Sequence, residues 1–167
     1  MALRFKIALS LNILVSIAFI ASGFRYLLSS QIMPYHLEVI GRSWSDFDPR
    51  LQMMLLGLLR LGGIGQLSTG VAIGILTLIP FRRGERWAYW VIPVTGLLWC
   101  VPISYGAHAL HSSTGAGTPW KAVMILSLVL VAAYLLTLRS SQGAEPQREG
   151  EPKKRSIGEK VILPNRR

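Results

Sequence analysis

Six side chains, in three short polar stretches between apolar blocks, stand out as able to hold a metal ion or to move protons. They are His36 and Glu38 in "PYHLE", Asp46 and Asp48 in "SDFD", and His108 and His111 in "AHALH". Imidazole and carboxylate are ligands for zinc and other divalent metals, and three or more are needed for a site. His36, Glu38, His108 and His111 are therefore the candidate metal ligands. His108 and His111 stand three apart, so they share a face if that segment is helical. Neither HExxH nor HxH is present, and no feature of the sequence draws the two segments together. The competing role for these histidines is hydrogen bonding to loops or headgroups. A GK[ST] phosphate loop, GxSxG and CxxC are all missing. Cys100 is the single cysteine, so no disulfide forms within the chain. No organic cofactor is expected, and no residue is assigned a catalytic role.

The elements that must position these groups are apolar. Of 167 residues, 51% are hydrophobic and 16% charged, with a mean hydropathy of +0.42. Soluble domains carry about 25% charge. The apolar residues fall into four blocks, spanning about 6–28, 51–80, 86–106 and 119–138. A bilayer core about 30 Å thick needs about 20 apolar residues per helix. In lipid each backbone N–H and C=O must be satisfied internally, so each block is read as a helix. The fold expected is all-α: a four-helix transmembrane bundle over residues 1–139, then a tail over 140–167. The tail is rich in Gly, Pro and charge, lacks periodicity and reads as disordered. The first block could instead be a signal peptide ending at Ala21–Gly23. Its apolar stretch is longer than a signal core, and "FRYLLSS" continues it, which favours a retained span.

The net charge of +10 would suggest nucleic acid in a soluble protein. Here the basic residues cluster at the ends of apolar blocks, so lipid is the expected partner and nucleic acid is not. With four spans, thirteen of the eighteen basic residues fall on the side of the termini, including Arg82, Arg83 and Arg86 in "FRRGER". The excess of positive charge in short loops marks that side as cytoplasmic. The expected location is a bacterial plasma membrane, crossed several times. All three histidines then lie on the outer side. Trp87, Tyr89 and Trp90 sit where an interfacial aromatic belt belongs, and Trp44 reads as an interface anchor. Asp48–Pro49 and Thr118–Pro119 both read as an N-cap followed by proline at the first helical position.

Several polar and small residues fall within the blocks. Arg60 lies near the outer boundary of the second block, where a charge wants a carboxylate. Asp46, Asp48 and Glu38 are the acids on that side. Either the loop folds back to pair with Arg60, or Arg60 snorkels to the headgroups. Gly62–Gly65 offers a place to bend, and Pro93 and Pro102 should bend the third span. Gly70 and Gly74 form a GxxxG match suited to close helix packing, within the chain or in a homo-oligomer or other membrane partner. Asn12, Gln66, Ser68 and Thr69 could join helices by hydrogen bonds. No histidine or acid lies within a span, which argues against a haem held between helices and against a carboxylate proton relay.

The segments "MPYH…GRSW…DPRLQ", "LLRLGGIGQLSTGVAIGILTLIPFRRGERWA" and "TPWKA" resemble a group of small bacterial four-span membrane proteins. The layout is also similar to DoxX-like four-helix membrane proteins. These resemblances imply the four-span fold; they carry no activity and no site residues. The leading functional expectation is a non-enzymatic membrane component that binds, supports or accompanies something else. The alternatives are a small transporter or channel subunit, and a membrane enzyme acting through the outer histidines and acids. A reporter fused after Arg167 is expected to report the cytoplasm; an external signal would refute the four-span reading.

Overall fold

The computed structural model describes residues 3–142. Its elements are α1 (Leu3–Leu27), α2 (Pro34–Ile40), a 3-10 turn (Trp44–Asp46), α3 (Pro49–Leu76) prolonged by a π turn (Thr77–Phe81), α4 (Arg86–Thr114) and α5 (Trp120–Gln142). Four helical segments are long and apolar enough to cross a membrane: Leu3–Leu27, Pro49–Phe81, Arg86–Thr114 and Trp120–Arg139. Helix α5 takes in the first three residues expected in the tail; residues 143–167 lie outside the described residues. The outward faces of the spans are themselves apolar, with Leu14 59%, Leu98 72% and Leu128 61% exposed. Helices that are apolar all round suit a hydrocarbon surround rather than water.

Helix ends follow local chemistry. Asp48 Oδ1 accepts from the N–H groups of Arg50 (2.9 Å) and Leu51 (3.2 Å), and Pro49 occupies the first turn, so α3 starts there. Helix α4 continues past Gly106, where the apolar block stops, and ends at Gly115 with φ 74°. Glycine takes this left-handed conformation without a Cβ penalty. The apolar block marks the lipid-facing stretch, and the polar turns after it are helical too. Thr118 does not cap α5: its Oγ1 donates to Ala107 O at 2.7 Å and ties the start of α5 to α4.

Helix α1 packs between α3 and α5, α4 flanks α5, and α3 meets α4 over a smaller contact. The α1–α3 contact is built on missing side chains. A Cβ on Gly70 would sit 2.8 Å from Ile20 Cγ1, and one on Gly63 would sit 2.9 Å from Tyr26 Cβ. On α1, a Cβ on Gly23 would lie 2.8 Å from the backbone nitrogen of Leu67. Gly74 faces Ser16, whose hydroxyl donates to Gly70 O at 2.8 Å. Lipid offers no hydrophobic drive between spans, so this close packing and the hydrogen bond supply much of the association. Gly70 and Gly74 thus pack against α1 of the same chain.

The expected bends are not breaks. Helix α4 runs as one element through Pro93 and Pro102, and α3 runs through Gly62–Gly65. The irregular turn lies at Pro80 instead. Proline has no N–H to donate to the preceding turn, and the helix widens there: Arg82 N donates to Thr77 O and Glu85 N to Pro80 O, each five residues back. This turn buries Phe81 between Phe5 (ring centroids 5.0 Å) and Tyr89 (5.2 Å), closing that end of the bundle. Trp87 and Trp90 remain exposed beside it.

If glycine permits the α1–α3 approach, Gly70→Leu should destabilise the fold by about 1–3 kcal/mol through overpacking. Gly57→Leu, on open surface, should not. Cys100 is buried and is the chain's single cysteine, so its labelling by a maleimide on heating reads out unfolding. Equal labelling midpoints for the two variants would contradict the packing account.

Candidate functional site

The end of the bundle opposite Phe81 is roofed by α2. Pro34 and Gly41 bracket this short helix; Gly41 adopts φ 70° and its N–H bonds Leu37 O. Two contacts fix it. The hydroxyl of Tyr35 bonds that of Tyr26 on α1. Glu38 Oε2 accepts from the backbone N–H of Gly117 at 2.7 Å, which joins α2 to the α4–α5 loop. Ile32 and Met33, just before α2, are buried beneath the roof.

Under the roof lies a cavity of about 370 Å³. Gly62 and Gln66 of α3, Trp99, Ile103 and Leu110 of α4, and Tyr26 of α1 line it. Its origin is the uneven α3–α4 contact. The two helices meet where Gly65 admits the Trp99 ring; a Cβ on Gly65 would lie 2.6 Å from Cη2. Nearer the roof, Gly62 and Gly106 have no side chains to fill the gap, and a Cβ on Gly106 would meet nothing within 4 Å. Gln66 Oε1 accepts from the Ser22 hydroxyl of α1, an interhelical bond beside the void. The pairing is favourable where water is scarce.

Two further hollows adjoin this one. A cavity of about 280 Å³ between α1 and α5 is lined by Arg25, Ala18 and Leu126, and shares Tyr26, Tyr35 and Gln66 with the first. A groove of about 390 Å³ runs between α2 and the start of α3, lined mainly by Ile32, Val39, Leu55 and Leu59. It shares His36, Tyr26 and Gly62 with the first cavity. His36 therefore stands at the junction of cavity and groove. It is half-buried and lies edge-on to Tyr35, with ring centroids 4.3 Å apart. Burial holds its pKa below the ordinary histidine value and favours the neutral ring. Burial, and then the bond to Tyr26, push the Tyr35 hydroxyl well above the usual phenol range. The polar lining of the main cavity is thus mostly uncharged: phenol, imidazole and amide.

The residues singled out from sequence are distributed differently from the pattern expected. His36 faces the cavity, whereas Glu38 is engaged by Gly117. His108 lies edge-on to Trp120 at 4.9 Å, and His111 Nδ1 bonds Ala116 O at 2.8 Å. Among the described residues, no three His, Cys, Asp or Glu side chains converge as metal ligands. Among the described residues, no carboxylate pairs with Arg60. Asp46 accepts from Ser43 N (2.9 Å), Asp48 caps α3, and Glu38 binds Gly117, so main-chain amides occupy all three acids. Arg60 is exposed on α3 and fits the snorkelling alternative. Of the polar span residues, Gln66 joins α1, while Thr69 Oγ1 bonds Gly65 O on its own helix. Asn12 is buried in α1, and Ser68 is exposed.

Sequence reasoning missed Tyr26, Tyr35 and Trp99, because an aromatic in or beside a span looks like packing or interface. A signal for α2 was present: Pro34 and Gly41 stand where a first-turn proline and a C-terminal glycine belong.

His36 gives the roof a pH dependence with a defined sign. Its folded pKa is lowered, so the unfolded or opened form binds more protons. The contribution is complete above about pH 6.5, the unperturbed histidine value, and is lost as pH falls below it. The protection factors of the α2 amides, corrected for the intrinsic pH dependence of exchange, should therefore fall on acidification towards pH 5, and His36→Asn should flatten that dependence. An unchanged profile in the variant would rule out His36 as the cause.

No protein-family model matches the chain, and neither a curated protein nor a solved structure is significantly similar to it.

Proposed function

We propose that this chain is a binding protein integral to the bacterial plasma membrane, with both termini cytoplasmic and the α2 roof outside. Its ligand is a small, mostly apolar molecule held under the roof. The observation that carries this reading is the cavity of about 370 Å³, apolar along Trp99, Ile103 and Leu110, with Tyr26, His36 and Gln66 at its wall. Small-molecule sites are typically about 300–1,000 Å³, largely apolar, with a few convergent polar groups, and lie between helices of bundles. The positive charge on the side of the termini supports the orientation.

The adjoining groove suggests how such a ligand arrives. Its walls are apolar, and it leaves the cavity between α2 and α3. A molecule dissolved in the outer leaflet would enter sideways without crossing water. The α1–α3 seam and the Phe81 cluster close the far end, so the arrangement supports binding more directly than passage across the membrane.

Trp99 offers a direct test. In nanodiscs, 12-bromododecanol should quench wild-type tryptophan fluorescence more than it quenches Trp99→Phe. Gly106→Leu, whose added side chain enters open space, should fold normally and remove that difference. Equal quenching in wild type and Trp99→Phe would contradict occupancy of the cavity.

A further inference from the structure

The wall between the α1–α5 cavity and the α3–α4 cavity is rich in donors. Tyr26 and Tyr35 carry two hydroxyl protons, and their mutual bond uses one. Among the described residues the other has no acceptor. Gln66 meets Ser22 through one end of its amide, and in either amide orientation at least one N–H remains. Arg25 lines the smaller cavity at the same level, with five N–H donors and no carboxylate within pairing distance among the described residues. Glu38, Asp46 and Asp48, in the segment between α1 and α3, are engaged by main-chain amides. A phenol, an amide and a guanidinium therefore surround one place with protons to give and few acceptors to receive them. Arginine suits planar oxyanions because it can donate two parallel hydrogen bonds. On either side of the wall the lining turns apolar: Ala18 and Leu126 in one cavity, Trp99, Ile103 and Leu110 in the other.

Resting on the binding role given above, we propose that the ligand is a single-chain anionic amphiphile. Its oxyanion head sits at Tyr26, Tyr35 and Gln66 with Arg25 as counter-charge, and its chain lies along Trp99 and Leu110. The head must be an acceptor, because the wall offers donors. An anionic head would give the exposed Arg25, on the lining of the smaller cavity, a counter-charge. One chain suits cavities of about 280 and 370 Å³, at the low end of small-molecule sites. A carboxylate and a phosphate monoester satisfy the same chemistry. The competing role for Arg25 is to offset the C-terminal dipole of α1 and touch lipid phosphates. That role would favour anions as well, but at the surface of the bundle, so Gly106→Leu, which fills the cavity, would leave such a preference intact, whereas it should abolish binding under the roof.

The test compares oleate, oleoyl lysophosphatidate and oleyl alcohol, three ligands of equal chain length, by native mass spectrometry of the full chain released from nanodiscs. Wild type should bind one or both anions about tenfold more tightly than the alcohol, the size of one charge-assisted hydrogen bond. The preferred anion identifies the head. Arg25→Gln should abolish the preference while retaining alcohol binding. Arg60→Gln, on an exposed face of α3 outside the cavities, should leave the preference intact. Equal binding of alcohol and anions by wild type would overturn the anionic head and leave the cavity reading standing. A preference that survives Arg25→Gln would overturn the assignment to Arg25. Binding of none of the three would overturn both readings. Tm measured by Cys100 labelling confirms that each variant is folded.

Discussion

The bundle depends on how closely α1 approaches α3. Four apolar helices in lipid gain little by hiding from one another, because the hydrocarbon around them is as apolar as their own side chains. What distinguishes one arrangement from another is contact density and the few hydrogen bonds available between spans. Gly23, Gly63, Gly70 and Gly74 remove side chains along a single seam, and Ser16 places a hydroxyl on the Gly70 carbonyl. The seam brings α1 and α3 backbone to backbone, a closeness that no other pair reaches along its length. Helix α5 then fills the other side of α1, and α4 packs on α5.

The cavity follows from that choice. Helix α4 is held chiefly by α5 and reaches α3 where Trp99 lies on Gly65 and where Ile73 faces Gly96. The Trp99 ring is admitted by Gly65 at that point, and the glycines at 62 and 106 leave the space toward the roof unfilled. A membrane protein that needed only to be stable could have filled it with leucine. Instead the space is roofed by a seven-residue helix pinned through Tyr26–Tyr35 and Glu38–Gly117. Both pins are side-chain hydrogen bonds at the edge of the bundle, where opening is cheapest.

How much of this was legible in the sequence depends on the scale of the feature. The four spans were, because block length and the absence of charge are set by bilayer thickness, and Asp48–Pro49 announced the start of α3 directly. The end of α4 was not: the polar "AHALHSST" reads as a loop, but Gly115 and not Gly106 stops the helix. Hydropathy reports where lipid ends and leaves the helix end to capping chemistry. The glycines were visible, but "GGIG" reads equally as a hinge or as a contact, and only the partner helix decides. The histidines drew attention as possible ligands because they share a side of the membrane. In the fold, His108 and His111 serve Trp120 and the α4–α5 loop, and His36 alone faces the cavity. Tyr26 and Tyr35 gain their roles from a chain reversal that brings α2 back onto the end of α1, and Trp99 from Gly65 on another helix, neither of which the sequence reveals without its fold.

The seam can be measured by cross-linking. A Cβ at Gly74 lies 3.9 Å from Ser16 Cβ, within the range of about 3.5–4.5 Å that a disulfide spans. In a Cys100→Ala background, Ser16→Cys with Gly74→Cys should oxidise in the folded membrane protein and lose both thiols to maleimide after denaturation. Gly62→Cys with Gly106→Cys, on opposite walls of the cavity, should stay reduced. A reduced seam pair under oxidant, or a cavity pair that closes as readily, would contradict the account.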